Sequence, residues 1–350
     1  MIIPILLLLS LSVTVIYSSS PQLAVSQAIF SLIGIALFFI LRSFDFRIFK
    51  SLSIGSYLIT LLLLIIVFIL GFESRGSTRW IDLGFFNFQP SELAKLVLIL
   101  CLAHFWSVKL PTWKNIGFSL LILLPFTLLI FKQPDLGTAL TVTFIWVTML
   151  IAANISWKKV FILGFLGTII LPLVWIFLRD YQKQRIYSFL SPSSDPLGIG
   201  YNVIQSVIAV GSGQFFGRGI GQGTQSRLQF LPEFRTDFIF AFIAEELGFL
   251  GSVIVILLYA TILILLIRLM NRSGNRFGEL IVAGIIGMML FQVTVNIGMN
   301  IGIMPVTGIT LPLLSYGGSS VIVTLMSFGI ADSIRRFGLK KKSIEVFGLQ

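Results

Sequence analysis

The sequence holds one cysteine, Cys101, and one histidine, His104. A single thiol excludes a disulfide framework, and one thiol with one imidazole excludes a zinc cluster built within the chain. Both residues lie in an apolar run at 93–108 and read as packing groups. Charge is scarce too: 11% of 350 residues are charged and 56% are hydrophobic, a balance outside that of soluble globular domains. The glycines at 211, 213, 217, 219, 221 and 223 are not followed by Gly-Lys-Ser/Thr, so they form no Walker phosphate loop. The leading stretch MIIPILLLLS lacks a basic n-region and reads as a first helix rather than a signal peptide.

What the chain has is length of apolar run. Such runs fall at about 2–17, 22–41, 52–72, 93–108, 116–131, 136–155, 159–178, 238–267, 279–303 and 318–334. They are continuous and show no alternation of two faces, which excludes a barrel and predicts helices. The expected fold class is all-α: a polytopic membrane protein with about ten transmembrane helices. Residues 1–350 are expected to form a single integral membrane domain. A large loop at 179–237 separates spans seven and eight, and a basic tail occupies 335–350.

Ten spans put both termini on one side. Fifteen Lys and Arg lie in the segments of that side and four in the short segments opposite, with the long loop left out. The positive-inside rule therefore makes both termini cytoplasmic; the expected location is the cytoplasmic (inner) membrane. The net charge of +11 is thus explained by topology and anionic lipid, not by nucleic acid. The acids run the other way, with ten of fourteen on the external half. Carboxylates gathered there point to an external site.

Four external stretches carry the candidates. In ESRGSTRWIDLGFFNFQPSELAKL, Pro90 suits a first-turn proline, and Glu92 and Lys95 share a helix face at a spacing that allows pairing. That pair either anchors the helix at the interface or faces a cavity that receives an anion. In FKQPDLGTAL, Pro134 and Asp135 repeat the device, and helix-start chemistry accounts for them. The loop at 179–237 is too long for a mere connector and predicts one or two short surface helices. Its glycines would allow close backbone approach to a ligand. It ends at Thr236-Asp237, where span eight begins, and a carboxylate at the mouth of a membrane helix is expensive without a role. Glu245 lies about 12 Å further along that helix and about 80° round it, so it could line the same cavity lower down. Finally, NIGMNIGIMPVTGITLPLLSYGGSS implies a broken path, with Ser315, Tyr316, Ser319 and Ser320 as hydrogen-bonding groups. No S-x-x-K signature accompanies these serines, so no penicillin-type acyl-serine site is expected there.

Taken together these segments resemble the SEDS family (shape, elongation, division and sporulation), the RodA/FtsW/SpoVE membrane proteins. The matching pieces are RGSTRWIDLG, FQPSELAKL, KQPDLGTAL, DPLGIGYNVIQSVIAVGSG, GIGQGTQSRLQFLPEFRTDFIFAFIAEELGFLG and MPVTGITLPLLSYGGSS. They run from residue 75 to 320 in the family's order, and QPDLGT with GTQ…FLPE…TDFIF leans toward the RodA branch. One departure is Phe234-Arg235, where a His commonly precedes the TD pair.

The resemblance implies a peptidoglycan glycosyltransferase that polymerises lipid II into glycan strands at the outer membrane face, in cell elongation and shape maintenance. It makes Asp237 the essential aspartate and Glu92–Lys95 the family's ion pair. It also implies a class B penicillin-binding protein transpeptidase as partner, beside lipid II, the nascent glycan strand and membrane lipids. On chemical grounds one base, Asp237, suffices, because pyrophosphate already leaves well. The departing phosphates need positive charge, from Arg75, Arg79, Lys95 or Arg218 or from a divalent cation such as Mg2+ or Mn2+. No cofactor is certain, and metal ligands are unknown. Three rivals remain: a lipid-linked oligosaccharide flippase, a division-type (FtsW) polymerase and a scaffold that only docks a transpeptidase. A transporter should hold charge near the bilayer midplane, yet spans two, three, five, six and seven carry none in their interiors.

Overall fold

A computed structural model of the chain describes residues 1–74, 77–82, 84, 87–192, 198, 200–227 and 230–338. Each of the ten apolar runs coincides with a helix: α1 (Ile2–Ser19), α2 (Pro21–Ser43), α3 (Ile48–Leu70), α4 (Pro90–Val108), α5 (Trp113–Lys132), α6 (Leu136–Ala152), α7 (Trp157–Phe177), α11 (Ile239–Arg272), α12 (Arg276–Asn300) and α13 (Gly318–Ser333). Between α7 and α11 lie α8 (Asp180–Leu190), α9 (Tyr201–Ser212) and the single turn α10 (Thr224–Arg227). Among the described residues eight helices are long and apolar enough to cross a membrane. The other two of the ten, α6 with 17 residues and α13 with 16, are shorter. The protein is a multi-pass membrane protein.

The helix starts follow from local chemistry. Pro90 opens α4, where its missing N–H leaves no bond unmade. Thr112 caps α5 by accepting from Asn115 N at 3.3 Å, and Asp135 caps α6 by accepting from Thr138 N at 3.0 Å. One feature lay outside the expectation. A small antiparallel sheet joins α3 to α4, made of β1 (Phe72–Ser74), β2 (Ser77–Asp82) and β3 (Asn87–Phe88). Ile81 stands opposite Phe88, and Asp82 opposite Asn87. Strands of two to six residues are too short for alternation to be read from sequence.

The chain divides into two compact units. The first comprises Met1–Phe30, Gly164–Ile262 and Gln292–Gly317; the second comprises Ser31–Leu163, Leu263–Phe291 and Gly318–Gln350.

The second unit is built round α4, which is buried along most of its length and packs against α3, α5, α6 and α13. Its two unusual residues pack as the sequence suggested: Cys101 Sγ donates to Ser53 O at 3.0 Å, and His104 Nδ1 lies 2.8 Å from Ser53 Oγ. Glycines let further helices close in. A Cβ on Gly284 would meet Ile99 at 2.8 Å, and one on Gly329 would meet Phe38 O at 2.8 Å and Phe38 Cα at 2.9 Å. Small residues at such crossings are how membrane helices approach when no hydrophobic effect drives them together. Where α13 ends, the buried carboxylate of Asp332 lies 2.7 Å from Arg42 Nε and 2.7 Å from Arg335 Nε.

The first unit is organised by a break in α11. Gly248 has φ 67° and ψ −162°, so residues 239–247 and 249–272 are separate helical arms. The second arm is roughly 36 Å long at 1.5 Å per residue, enough to cross a bilayer by itself. The break strips carbonyls 245 and 246 and the N–H groups of 249 and 250 of helical partners. The glycine-rich loop supplies all four: Arg218 N donates to Glu245 O at 3.0 Å, Gly219 N to Glu246 O at 3.0 Å, Phe249 N to Gln214 O at 2.8 Å and Leu250 N to Phe215 O at 3.2 Å. Such bonds need main chain against main chain. A Cβ on Gly213 would collide with Ala244 O, and one on Gly217 with Glu246 O. The sequence reading gave these glycines a ligand to approach; at Gly213 and Gly217 the backbone approached is that of α11.

Two substitutions test the packing. Gly329→Val should lower stability by about 1–3 kcal/mol, the usual range for forcing a side chain into a filled site. Gly55→Ala, where nothing lies within 4 Å of the added methyl, should leave the midpoint unchanged or raise it. Thermal unfolding of the purified protein in detergent reads both.

Candidate active site

Asp237 stands two residues before the first arm of α11, in a turn where Thr236 N and Phe238 N both donate to Glu233 O, at 3.1 and 3.2 Å. Glu233 adopts φ 56° to make that turn. Three side chains then clamp the turn through its main chain. Asn296 Nδ2 and Asn300 Nδ2 donate to Asp237 O at 2.9 and 3.1 Å, and Ser315 Oγ donates to Thr236 O at 2.6 Å. Each clamp is itself fixed. Asn300 Oδ1 accepts from Ala241 N at 2.9 Å, and Ser315 Oγ accepts from Leu311 N at 2.8 Å. Tyr316 N adds a bond to Arg235 O at 2.8 Å. The Asp237 side chain is half-buried, and its direction is set by a backbone held from α12 and from residues 311–316.

Asn296 and Asn300 were missed by the sequence reading, although the signal was there. Two asparagines four apart in a mostly apolar helix share one face, and polar groups in such helices mark interior contacts. Arg185 was also missed, dismissed with the charges of a long loop. Its Nη1 and the Asp237 Oδ2 flank one point above Gly308, the position a Cβ there would take, at 3.4 and 3.6 Å.

The remaining candidates have definite partners. Glu245 is fully buried; its Oε1 accepts from Gln225 N at 2.8 Å and Thr224 Oγ1 at 3.3 Å. Its neighbour Glu246 accepts from Gly221 N at 2.6 Å and Ser18 Oγ at 2.9 Å. The two acids hold the loop to α11, which gives Glu245 a structural occupation where the sequence suggested a cavity wall. Arg218 is exposed, with Nε donating to Ser212 O at 3.3 Å. Ser315 is buried and committed to the Asp237 turn.

The second unit holds the others. Glu92 and Lys95 pair at 2.8 Å in the first turns of α4 and are 5% and 2% exposed. The pair is packed inside the protein rather than exposed at its surface. Arg79 reaches the turn before α6: Nε donates to Gln133 O at 3.2 Å, Nη2 bonds Pro134 O, and Nη1 lies 3.8 Å from Asp135 Oδ1. Asp135 is spent on the α6 cap, on Thr138 Oγ1 at 2.9 Å and on Gln89 Nε2 at 3.3 Å. Ser319 Oγ accepts from Gln89 N at 3.0 Å, tying β3 and α4 to α13. Arg75 lies outside the described residues.

No three His, Cys, Asp or Glu gather to hold a metal among the described residues. Asp237 could offer a Mg2+ or Mn2+ one carboxylate, and such ions commonly complete their shell with substrate phosphates and water.

The profile of the FtsW/RodA/SpoVE family, described as cell cycle protein, matches residues 1–339. The chain belongs to this family. The family's named members are similar from end to end. Over 340 residues the chain is 41% identical to the peptidoglycan glycosyltransferase MrdB of Escherichia coli K12, spanning 95% of this chain and 92% of that protein. It is 38% identical to stage V sporulation protein E of Bacillus subtilis, spanning 95% of each. Among solved structures, a chain from a peptidoglycan synthase complex that coordinates polymerization and crosslinking matches with a TM-score of 0.83 at 35% identity, over 96% of both chains. Thermus thermophilus rod shape determining protein RodA matches at 0.73 and 30%, again over 96% of both.

Breaking one half of the buried pair should be severe. Lys95→Met leaves the Glu92 carboxylate buried without its cation and should lose about 3–5 kcal/mol, whereas Glu92→Met/Lys95→Met together should recover most of it. Unfolding midpoints of the single and double variants check this. Asn300→Ala, which orphans Ala241 N, should lose about 1–3 kcal/mol by the same measurement.

Proposed function

We propose that the protein is a peptidoglycan glycosyltransferase of the elongation type, polymerising lipid II at the outer face of the cytoplasmic membrane. Both termini are then cytoplasmic, a placement that the Lys/Arg distribution supports. Relatives bearing that activity in their names share 41% of their residues with this chain over nearly its whole length. The chemistry rests on one observation: Asp237 sits in a turn clamped through its main chain by Asn296, Asn300 and Ser315.

A fixed carboxylate is what a single displacement needs. The acceptor sugar hydroxyl approaches the anomeric carbon of the donor, and its proton passes to an oxygen of Asp237. The new C–O bond forms on one face as the bond to the diphosphate breaks on the other, so configuration inverts. The electron pair leaves with the polyprenyl diphosphate, which needs no protonation to depart. Holding the base by its backbone lowers the entropy lost in reaching that geometry. Glu92 and Lys95, buried in the other unit and paired at 2.8 Å, are assigned to the activity through the family.

A class B penicillin-binding protein is the proposed partner. A structural relative belongs to a complex coordinating polymerization with crosslinking, and no acyl-serine signature accompanies Ser315–Ser320 here.

Asp237→Asn should fold with a wild-type unfolding midpoint and lose about 10²–10⁴-fold in polymerisation rate, the range for removing a general base. Glycan product from lipid II in detergent, with and without divalent cation, is the readout. Polymerisation at the wild-type rate would remove Asp237 as base. Flipping of lipid II across liposomes without glycan product would point to the flippase instead.

A further inference from the structure

Arg185 belongs to α8, a helix with polar and aromatic residues, DYQKQRIYSFL, amid a strongly apolar chain. Its guanidinium Cζ lies 5.6 Å from the Tyr181 ring centroid, and its Nη1 comes 3.4 Å from the Cβ position of Gly308. Asp237 Oδ2 is 3.6 Å from the same point, and among the described residues no other atom comes within 4 Å of it beyond Gly308 and its chain neighbours. A cation and a carboxylate therefore border a notch that exists because residue 308 has no side chain. Gly308 is itself half-buried, with φ 74°, a conformation other residues rarely take.

A second observation comes from polar atoms shut away from solvent without a hydrogen-bond partner among the described residues. Two lie on residues near this notch in the chain, and a third lies on α12. Gln182 Nε2 is one turn before Arg185 on the same helix, in a residue 2% exposed. Thr307 Oγ1 is the neighbour of Gly308. Gln292 Oε1 stands one turn before Asn296, in a residue also 2% exposed. Buried polar groups are nearly always paired, and each exception needs an explanation. Here the exceptions comprise an amide donor on the helix of Arg185, a hydroxyl on the residue before Gly308 and an amide acceptor on the helix that holds the Asp237 turn.

We infer that Arg185, with Gln182 and Thr307, holds the diphosphate of the polyprenyl-linked donor in the notch over Gly308, beside Asp237. The assignment rests on the glycosyltransferase reading given above. The chemistry matches piece by piece. A guanidinium takes two phosphate oxygens through parallel N–H donors. An amide N–H and a hydroxyl can supply further donors, and Gln292 Oε1 would accept from a sugar hydroxyl or amide N–H. As the anomeric bond breaks, charge builds on the diphosphate, so the Arg185 contact strengthens in the transition state. Arg79, Arg218 and Lys95, the earlier candidates for this task, have the partners already described.

The test uses the full-length protein in detergent micelles with farnesyl diphosphate as probe, binding being followed by titration calorimetry. Arg185→Gln should bind it at least about tenfold more weakly, the effect of losing one charge-assisted contact. Arg185→Lys should recover part of that loss. Arg185→Met, which keeps the packing stem without the charge, should recover none. Phosphatidylglycerol added to the micelles should not compete; equal competition would make this a phospholipid headgroup site and overturn the proposal. In polymerisation, Arg185→Gln should raise the donor KM and lower kcat at an unchanged unfolding midpoint. Gln182→Leu should weaken farnesyl diphosphate binding in the same direction, as a second probe should Arg185 variants fail to fold. Asp237→Asn should still bind the probe while failing to polymerise. Wild-type affinity in Arg185→Gln with an inactive Asp237→Asn would sink this inference alone, whereas an active Asp237→Asn would sink the glycosyltransferase reading.

Discussion

A helix that stops inside an apolar surrounding must find partners for the backbone groups it leaves open, because no water is there to take them. The break at Gly248 sets that demand, and the loop from Gly213 to Gly219 answers it, main chain to main chain. Much of the first unit follows. The loop has to lie flat on α11, so Gly213 and Gly217 carry no side chain. Glu245 and Glu246 turn toward the loop and receive its N–H and hydroxyl groups, which lets two carboxylates remain buried at adjacent positions. The short arm ahead of the break is freed from the spanning arm and presents Asp237 at its mouth.

The acid at 237 is held in a different way from the acids behind it. Glu245 and Glu246 accept through their carboxylates from a loop; the turn bearing Asp237 is gripped by its carbonyls. Asn296 and Asn300 belong to α12, and Ser315 to the irregular segment after it, so elements distant in the chain agree on the position of one turn. The same economy appears in the second unit, where Asp135 and Asp332 each sit at a helix terminus among cations and amides. Glu92 also sits at a helix terminus, in the first turn of α4, and pairs with Lys95 on its own helix.

The hydropathy pattern foretold the helices well, since all ten apolar runs became helices with ends within a few residues of their expected places. Pro90, Asp135 and the 92–95 spacing were equally legible, because helix starts and same-face pairs are local chemistry. The Gly248 break was not. The segment AEELGFLGSVIV reads as unbroken apolar helix, and hydropathy is blind to a φ of 67°. The β1–β3 sheet escaped for want of length. Arg185 escaped because its meaning comes from Gly308, more than a hundred residues away and lacking any side chain to notice.

The Glu245 and Glu246 contacts also carry an order in time. Ser18, Gly221, Thr224 and Gln225 all precede the two carboxylates in the chain. A ribosome working from the N-terminus therefore completes these donors before either acid emerges. The two acids thus find their donors already synthesised, and neither has to wait for a segment still to come.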